Sequence, residues 1–264
     1  MPLYIQPVNS REQITANRTY YVRTDGNDSN NGLTNTAGGA FLTIQKGIDT
    51  IAALDISVLT VTLQVGDGTY TAAVNLKDPV GDGTCVLQGN TTTPSSVVIS
   101  TTSTDGITST GTLKWTIKGF KVQTTTSGMC ILSQGGGRVV LSGVNFGPAG
   151  VSHIRSFQGS QVNITESYSI LGGGNDHYLA QQHGRILMVP SKVIDLTGTA
   201  SFVAAFCRTG LMGYVENYST TFVGSIAGTR YSASSNSVMN VNGGGANYYP
   251  GNVAGSTGTG AQYL

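Results

Sequence analysis

From Ser127 to Phe222 the chain can be written as four stacked lines, and this repeat constrains the fold more than any other feature. SGMCILSQGGGRVVLSGVNF is followed by SHIRSFQGSQVNITESYSI, DHYLAQQHGRILMVPSKVIDL and SFVAAFCRTGLMGYVENYSTTF. In this alignment Gln134, Gln158 and Gln182 are each 24 residues apart, and Met129, His153, His177 and Ser201 follow the same interval. A hairpin array would show turns every 8–12 residues, whereas a unit of this length with two or three short strands fits one coil of a parallel β-solenoid. Equivalent residues of successive coils then stack about 4.8 Å apart. Val139, Val162, Ile186 and Met212 read as one interior aliphatic stack, and the three glutamines as a ladder of hydrogen-bonded amides.

Composition agrees with an all-β chain. There are 37 glycines, and the strong helix formers are scarce beside Thr, Ser and Asn. Apolar residues make up 39%, too many for a disordered Gly/Ser polymer, and there is no Gly-X-Y period. Fourteen Lys and Arg against 13 Asp and Glu give a net charge of +1, which argues against a nucleic-acid-binding surface spread over the whole molecule. No apolar run reaches the length of a bilayer span, so no membrane insertion is expected. The leading residues MPLYIQPVNSREQIT do not read as a signal peptide. Cys85, Cys130 and Cys207 are odd in number and far apart, and are expected as free thiols in the core. Asn-x-Ser/Thr triplets at Asn27, Asn90, Asn163 and Asn217 would matter only in a eukaryotic secretory pathway.

Along the chain, residues 1–40 read as a leading attachment segment with one β run, Thr19–Arg23, and a turn-rich loop, DGNDSNNG. Phe41, Ile44, Ile48, Ile51 and Leu54 recur at steps of three and four and predict a helix within 41–57 that caps the first coil. Coils occupy 58–241. The last segment, 242–264, is Gly-rich and carries Tyr248, Tyr249 and Tyr263; it is expected to pack on a neighbouring subunit or a larger assembly.

Three stretches together carry a family resemblance: TYYVRTDGNDSNNGLTNTAGGAFLTIQKGIDTI, TVTLQVGDGTYTAAVNL and the stacked coils. They resemble the amino-terminal part of the pectin-lyase-like right-handed parallel β-helix proteins of bacteriophages and prophages. The carboxy-terminal RYSASSNSVMNVNGGGANYYPGNVAGSTGTGAQYL is similar to the ends of tail-spike or fibre proteins of that kind. The resemblance implies a homotrimeric virion spike or tail-fibre protein, assembled in the host cytoplasm, attached to other virion proteins and binding host-surface polysaccharide. The same fold hosts depolymerases as well as inert adhesins, and a structural head-decoration or tail-adaptor role is a further alternative.

Candidate chemistry is sparse. Pectate-lyase members of the fold hold calcium with clustered acids, and no such cluster occurs here; no cofactor and no metal are expected. Glycoside hydrolysis needs two carboxyl groups, roughly 5–5.5 Å apart for retention or 6.5–9.5 Å for inversion. In the repeat register Glu166, Pro190 and Glu216 are equivalent. The two glutamates would then lie two coils apart, about 9.6 Å, and are the candidate catalytic pair, against the plainer reading of solvent-facing turn residues. Tyr168, Lys192 and Tyr218 would form a glycan-binding stripe beside them. His153 and His177 fall on neighbouring coils next to Asp176, with His183 nearby; a base or metal ligand set would need a further member, and the histidines are read as surface or interface residues. The Asp25–Gly32 loop is rich in oxygen ligands, which Asx turns explain without calcium. Trp115 reads as a strand residue rather than a nucleic-acid platform.

Overall fold

The computed structural model describes residues 11–111, 114–197 and 200–264. Over these residues the chain is all-β with long parallel sheets and one α-helix. It visits three sheets in rotation: Ile107–Ser109, Lys114–Lys118 and Lys121–Ser127 lie in different sheets, and Ile131–Ser133 returns to pair with the first. Repetition builds sheets of nine, ten and seven strands among the described residues, and a small three-stranded sheet joins Glu12–Gln13, Leu54–Ser57 and Val80–Gly81.

In the ten-stranded sheet the alternation of side chains puts every second residue inside. Val61, Cys85, Trp115, Val139, Val162, Ile186, Val215 and Met239 are successive partners, and all are buried. The expected stack is therefore correct up to Ile186 and wrong at the next position. The coil from Ile186 to Val215 holds 29 residues, so the partner is Val215, and Met212 is a turn residue 52% exposed. All three cysteines are free and buried, and Trp115 is an interior strand residue.

The turns between the nine- and ten-stranded sheets share one backbone design. Gly135–Gly136, Gln158–Gly159, Gln182–His183, Leu211–Met212 and Ser235–Asn236 are pairs with positive φ, and Thr259–Gly260 repeats the pattern. Left-handed backbone costs a non-glycine residue roughly 1 kcal/mol, and the coils offset it by stacking. The second N–H of each pair donates to the first carbonyl of the next: Gly136 to Gln158, Gly159 to Gln182, His183 to Leu211, Met212 to Ser235 and Asn236 to Thr259. The aligned glutamines belong to this turn ladder, whose bonds are made by backbone. The amide–amide contact between coils is elsewhere, from Gln88 Nε2 to Gln64 Oε1 at 2.8 Å.

The helix is shorter than the sequence pattern suggests, Ile44–Ala52, because Leu54–Ser57 is already a strand. Thr43 caps it by accepting from Lys46 N, and Ile44, Ile48 and Ile51 are buried. It packs against Arg18–Val22, Thr60–Val65 and Val74–Leu76. Residues 18–22 pair with 61–65, so this part of the leading segment belongs to the same sheet system; residues 1–10 lie outside the described chain. At the other end, Ser256–Thr257 and Gln262–Tyr263 add strands to the nine- and ten-stranded sheets. Tyr249 is fully buried, with its ring 5.7 Å from Phe206, and Tyr263 stacks on Tyr231 at 3.9 Å. Two of the three tyrosines assigned to an assembly contact thus pack on their own chain.

Candidate functional site

The outward side chains of the ten-stranded sheet form a flat polar face. One row runs through Arg138, Gln161, Arg185 and Tyr214, which are successive partners on neighbouring strands. Both arginines are exposed and the other two residues half-buried. The Arg185 guanidinium lies over the Tyr214 ring, 5.3 Å from its centre, and the Tyr214 hydroxyl donates to Glu216 Oε2 at 2.5 Å. Burial, then the bond to Glu216, raises the Tyr214 pKa. Gln161 Nε2 donates to Asn163 Oδ1 at 2.7 Å, fixing which end of that amide faces the row.

The candidate catalytic pair is not brought into line. Glu216 is in register with Leu187, and Leu187 with Asn163. Glu166 lies three residues beyond Asn163, at the turn toward the seven-stranded sheet. The long coil after Ile186 is the cause, since it displaces every later residue from the 24-residue count. Each carboxylate also has its own partner: Glu166 pairs with Lys192 at 3.3 Å, and Glu216 accepts from Tyr214. Glu166 is exposed and Glu216 half-buried on an open face. Such an arrangement lacks the facing acid and base of a glycoside-hydrolysis site.

The expected aromatic stripe is also broken. Tyr168 pairs with Ile194 and Lys192 is bonded through its carbonyl to Thr221 N, so Lys192 falls opposite Glu166 and not Tyr168. Tyr168 shares the inward phase of Ile170 and is buried, out of reach of a sugar ring. Lys192 and Tyr218 stay half-buried at the turns.

What Tyr168 joins is an interior polar chain that the sequence reading missed. His153 and His177 are adjacent, as expected, but both are fully buried rather than at a surface. Their Nδ1 atoms are 2.8 Å apart, His177 Nε2 is 2.7 Å from the Tyr168 hydroxyl, and that hydroxyl is 2.5 Å from the Tyr178 hydroxyl. Burial drives the His153 pKa down to about 3 and that of His177 well below its ordinary value, while it raises both tyrosines. All four groups are therefore neutral. Donation from Tyr178 to Tyr168, on to His177 Nε2, and from His177 Nδ1 to His153 Nδ1 leaves one group over, the His153 Nε2–H. The reverse order strands two, the Tyr178 hydroxyl hydrogen and the His153 Nε2 lone pair. Phe146, Phe202 and Phe206 enclose the histidines, so no substrate reaches them, and the chain's role is structural. The signal in the sequence was the alternation Tyr168-Ser-Ile170, which places the tyrosine with the core.

Asp176 beside them is fully buried and faces the other way. It accepts from Arg208 Nε at 2.8 Å and Nη2 at 2.7 Å, and from Ser152 Oγ at 3.1 Å. Burial raises its pKa, and the Arg208 contacts oppose that rise. In the Asp25–Gly32 loop the oxygens are in use: Asp28 accepts from Leu42 N, Thr43 N and the Thr43 hydroxyl, and Asn27 and Asn31 form Asx turns with Ser29 and Leu33. Asp28 thus ties the loop to the helix start. Among the described residues no group of three or more His, Cys, Asp or Glu is placed to hold a metal ion.

Comparison of the chain with protein-family models, with curated proteins and with solved structures finds no match.

Proposed function

We propose that the chain is a right-handed parallel β-helix of the pectin-lyase-like kind and that it acts as a virion spike or tail-fibre protein, a homotrimer that binds host-surface polysaccharide. The observation that carries the binding part is the outward face of the ten-stranded sheet, where Arg138, Gln161, Arg185 and Tyr214 present donors and an aromatic ring at a regular strand spacing. An extended polymer lying across the strands meets equivalent groups on successive coils. Virion location, the trimer and attachment to other virion proteins rest on the sequence resemblance. Binding without cleavage is favoured over depolymerisation because Glu166 and Glu216 are out of register and separately partnered.

The test incubates the protein with host-envelope polysaccharide, with light scattering for the oligomer and an assay of released reducing or unsaturated ends. A trimer that retains the polysaccharide without releasing ends is the expected result. Sustained release of ends that survives in a Glu166→Gln, Glu216→Gln double variant would establish a depolymerase with other residues. A monomer that retains nothing would turn the assignment to a structural part.

A further inference from the structure

Resting on the polysaccharide-binding reading, we infer that the face around Arg138 and Arg185 is built for an acidic polysaccharide, with the two guanidinium groups taking anionic substituents about two strand spacings apart, roughly 9.6 Å. Arg138 and Arg185 are both in register with Gln161, one on each side of it, and both are exposed. Among the described residues neither has a carboxylate within ion-pair distance, although Arg18, Arg23, Lys77, Lys192 and Arg208 each do. In a chain with only 14 basic residues and almost as many acids, two unpaired guanidinium groups in one row leave a local positive field.

The row is also shaped for carboxylate or sulfate groups. A guanidinium offers a planar fork of donors that fits such an anion in a two-point contact. Tyr214 lies under Arg185 and restrains it, which lowers the ordering cost of binding. Gln161, between the arginines, supplies an amide for the uncharged sugar that separates two acidic ones. Glu216 is the one acid on strands 138–142, 161–164, 185–188 and 214–216; it stands on the last of the four with its carboxylate held by Tyr214. The polymer therefore runs across the strands with its charged stretch over Arg138 to Arg185.

The experiment measures binding of the full chain to polygalacturonate, heparin and neutral dextran, at low and at physiological salt. It uses the parent chain, Arg138→Gln, Arg185→Gln, the double variant, and Lys121→Gln as an equal charge change on the seven-stranded sheet. Expected is salt-sensitive binding to an acidic polymer and none to dextran, with each arginine substitution weakening binding about threefold, the double variant about tenfold, and Lys121→Gln without effect. An equal loss in Lys121→Gln would mean diffuse charge and would overturn the site. Dextran binding untouched by the substitutions would overturn the acidic preference and leave the polysaccharide reading standing. Retention of host-envelope polysaccharide without binding to either acidic probe, or with full strength in the double variant, would do the same. Loss of binding to every polymer, host polysaccharide included, would overturn both. Tighter binding to single-stranded nucleic acid than to polygalacturonate at equal salt would assign the face to another polymer and overturn the inference.

Discussion

His153 and His177 face each other through their Nδ1 atoms, 2.8 Å apart, in an interior where neither ring is exposed. Both are neutral in the fold and take up a proton when the chain unfolds below about pH 6.5. For a histidine with a depressed folded pKa, stability is complete above the unfolded value and is lost as the pH falls toward the folded one. The loss is about 1.4 kcal/mol per pH unit for each histidine, beginning near pH 6.5 and continuing toward about 3 for His153. Asp176, whose carboxyl burial pushes up, takes a proton in the fold and works in the opposite sense. Tyr168 and Tyr178 keep their protons throughout. Denaturant midpoints at pH 7.5, 6 and 5 should fall steadily; a flat profile over that range would show that the histidines are not held neutral.

Arg208 is the two-point partner of a carboxylate with no exposure. Removing one member of a buried pair leaves the other charge uncompensated, at about 3–5 kcal/mol. Arg208→Ala should lose that amount in chemical denaturation, and Arg208→Lys less, since a lysine keeps the charge but not the fork. An Arg208→Ala loss within 0.5 kcal/mol, on the order of a surface substitution, would mean that Ser152 and solvent suffice for Asp176.

Met212 sits in a left-handed turn with φ of 61° and is 52% exposed. Glycine adopts that backbone without the Cβ penalty, and little packing is lost with the side chain. Met212→Gly should be neutral to stabilising by up to about 1 kcal/mol, and Ile186→Ala, in the stack that Met212 was expected to join, should cost about 2–5 kcal/mol. Thermal melts of the two variants compare turn and core directly.

Gly47 lies in the helix, where alanine ordinarily gains about 1 kcal/mol. Here an added Cβ would come within 2.4 Å of Leu63 Cδ1, in a side chain with no exposure. Overpacking costs about 1–3 kcal/mol and outweighs the propensity gain. Gly47→Ala should therefore lower the melting temperature, and in a Leu63→Ala background the same change should become favourable. A gain in the parent background would show that Leu63 moves aside freely.

How far the fold was legible follows from where the repeat keeps its length. From Trp115 to Ile186 successive interior partners are 23 or 24 residues apart, and hand alignment finds them. The coil to Val215 is longer, and the count of 24 then selects Met212, which has the right hydrophobicity and the wrong backbone. The same slip made Glu166 and Glu216 appear equivalent. The buried histidines were hidden for a different reason. Periodicity reports polarity, and a polar residue with an internal partner breaks the pattern that marks a core. His177 between Asp176 and Tyr178 reads as surface until Tyr168 is seen to bond it.

The interior stack, finally, makes the molecule a length standard. Separations between outward groups on different coils are fixed by main-chain bonding and not by the side chains themselves, so Arg138 and Arg185 could be exchanged for other residues without moving their anchor points. Inserting one complete coil between them would lengthen the gap by about 4.8 Å and leave the rest of the face unchanged. Ligand dimensions in such a chain are set by counting coils, and its selectivity can change by whole steps.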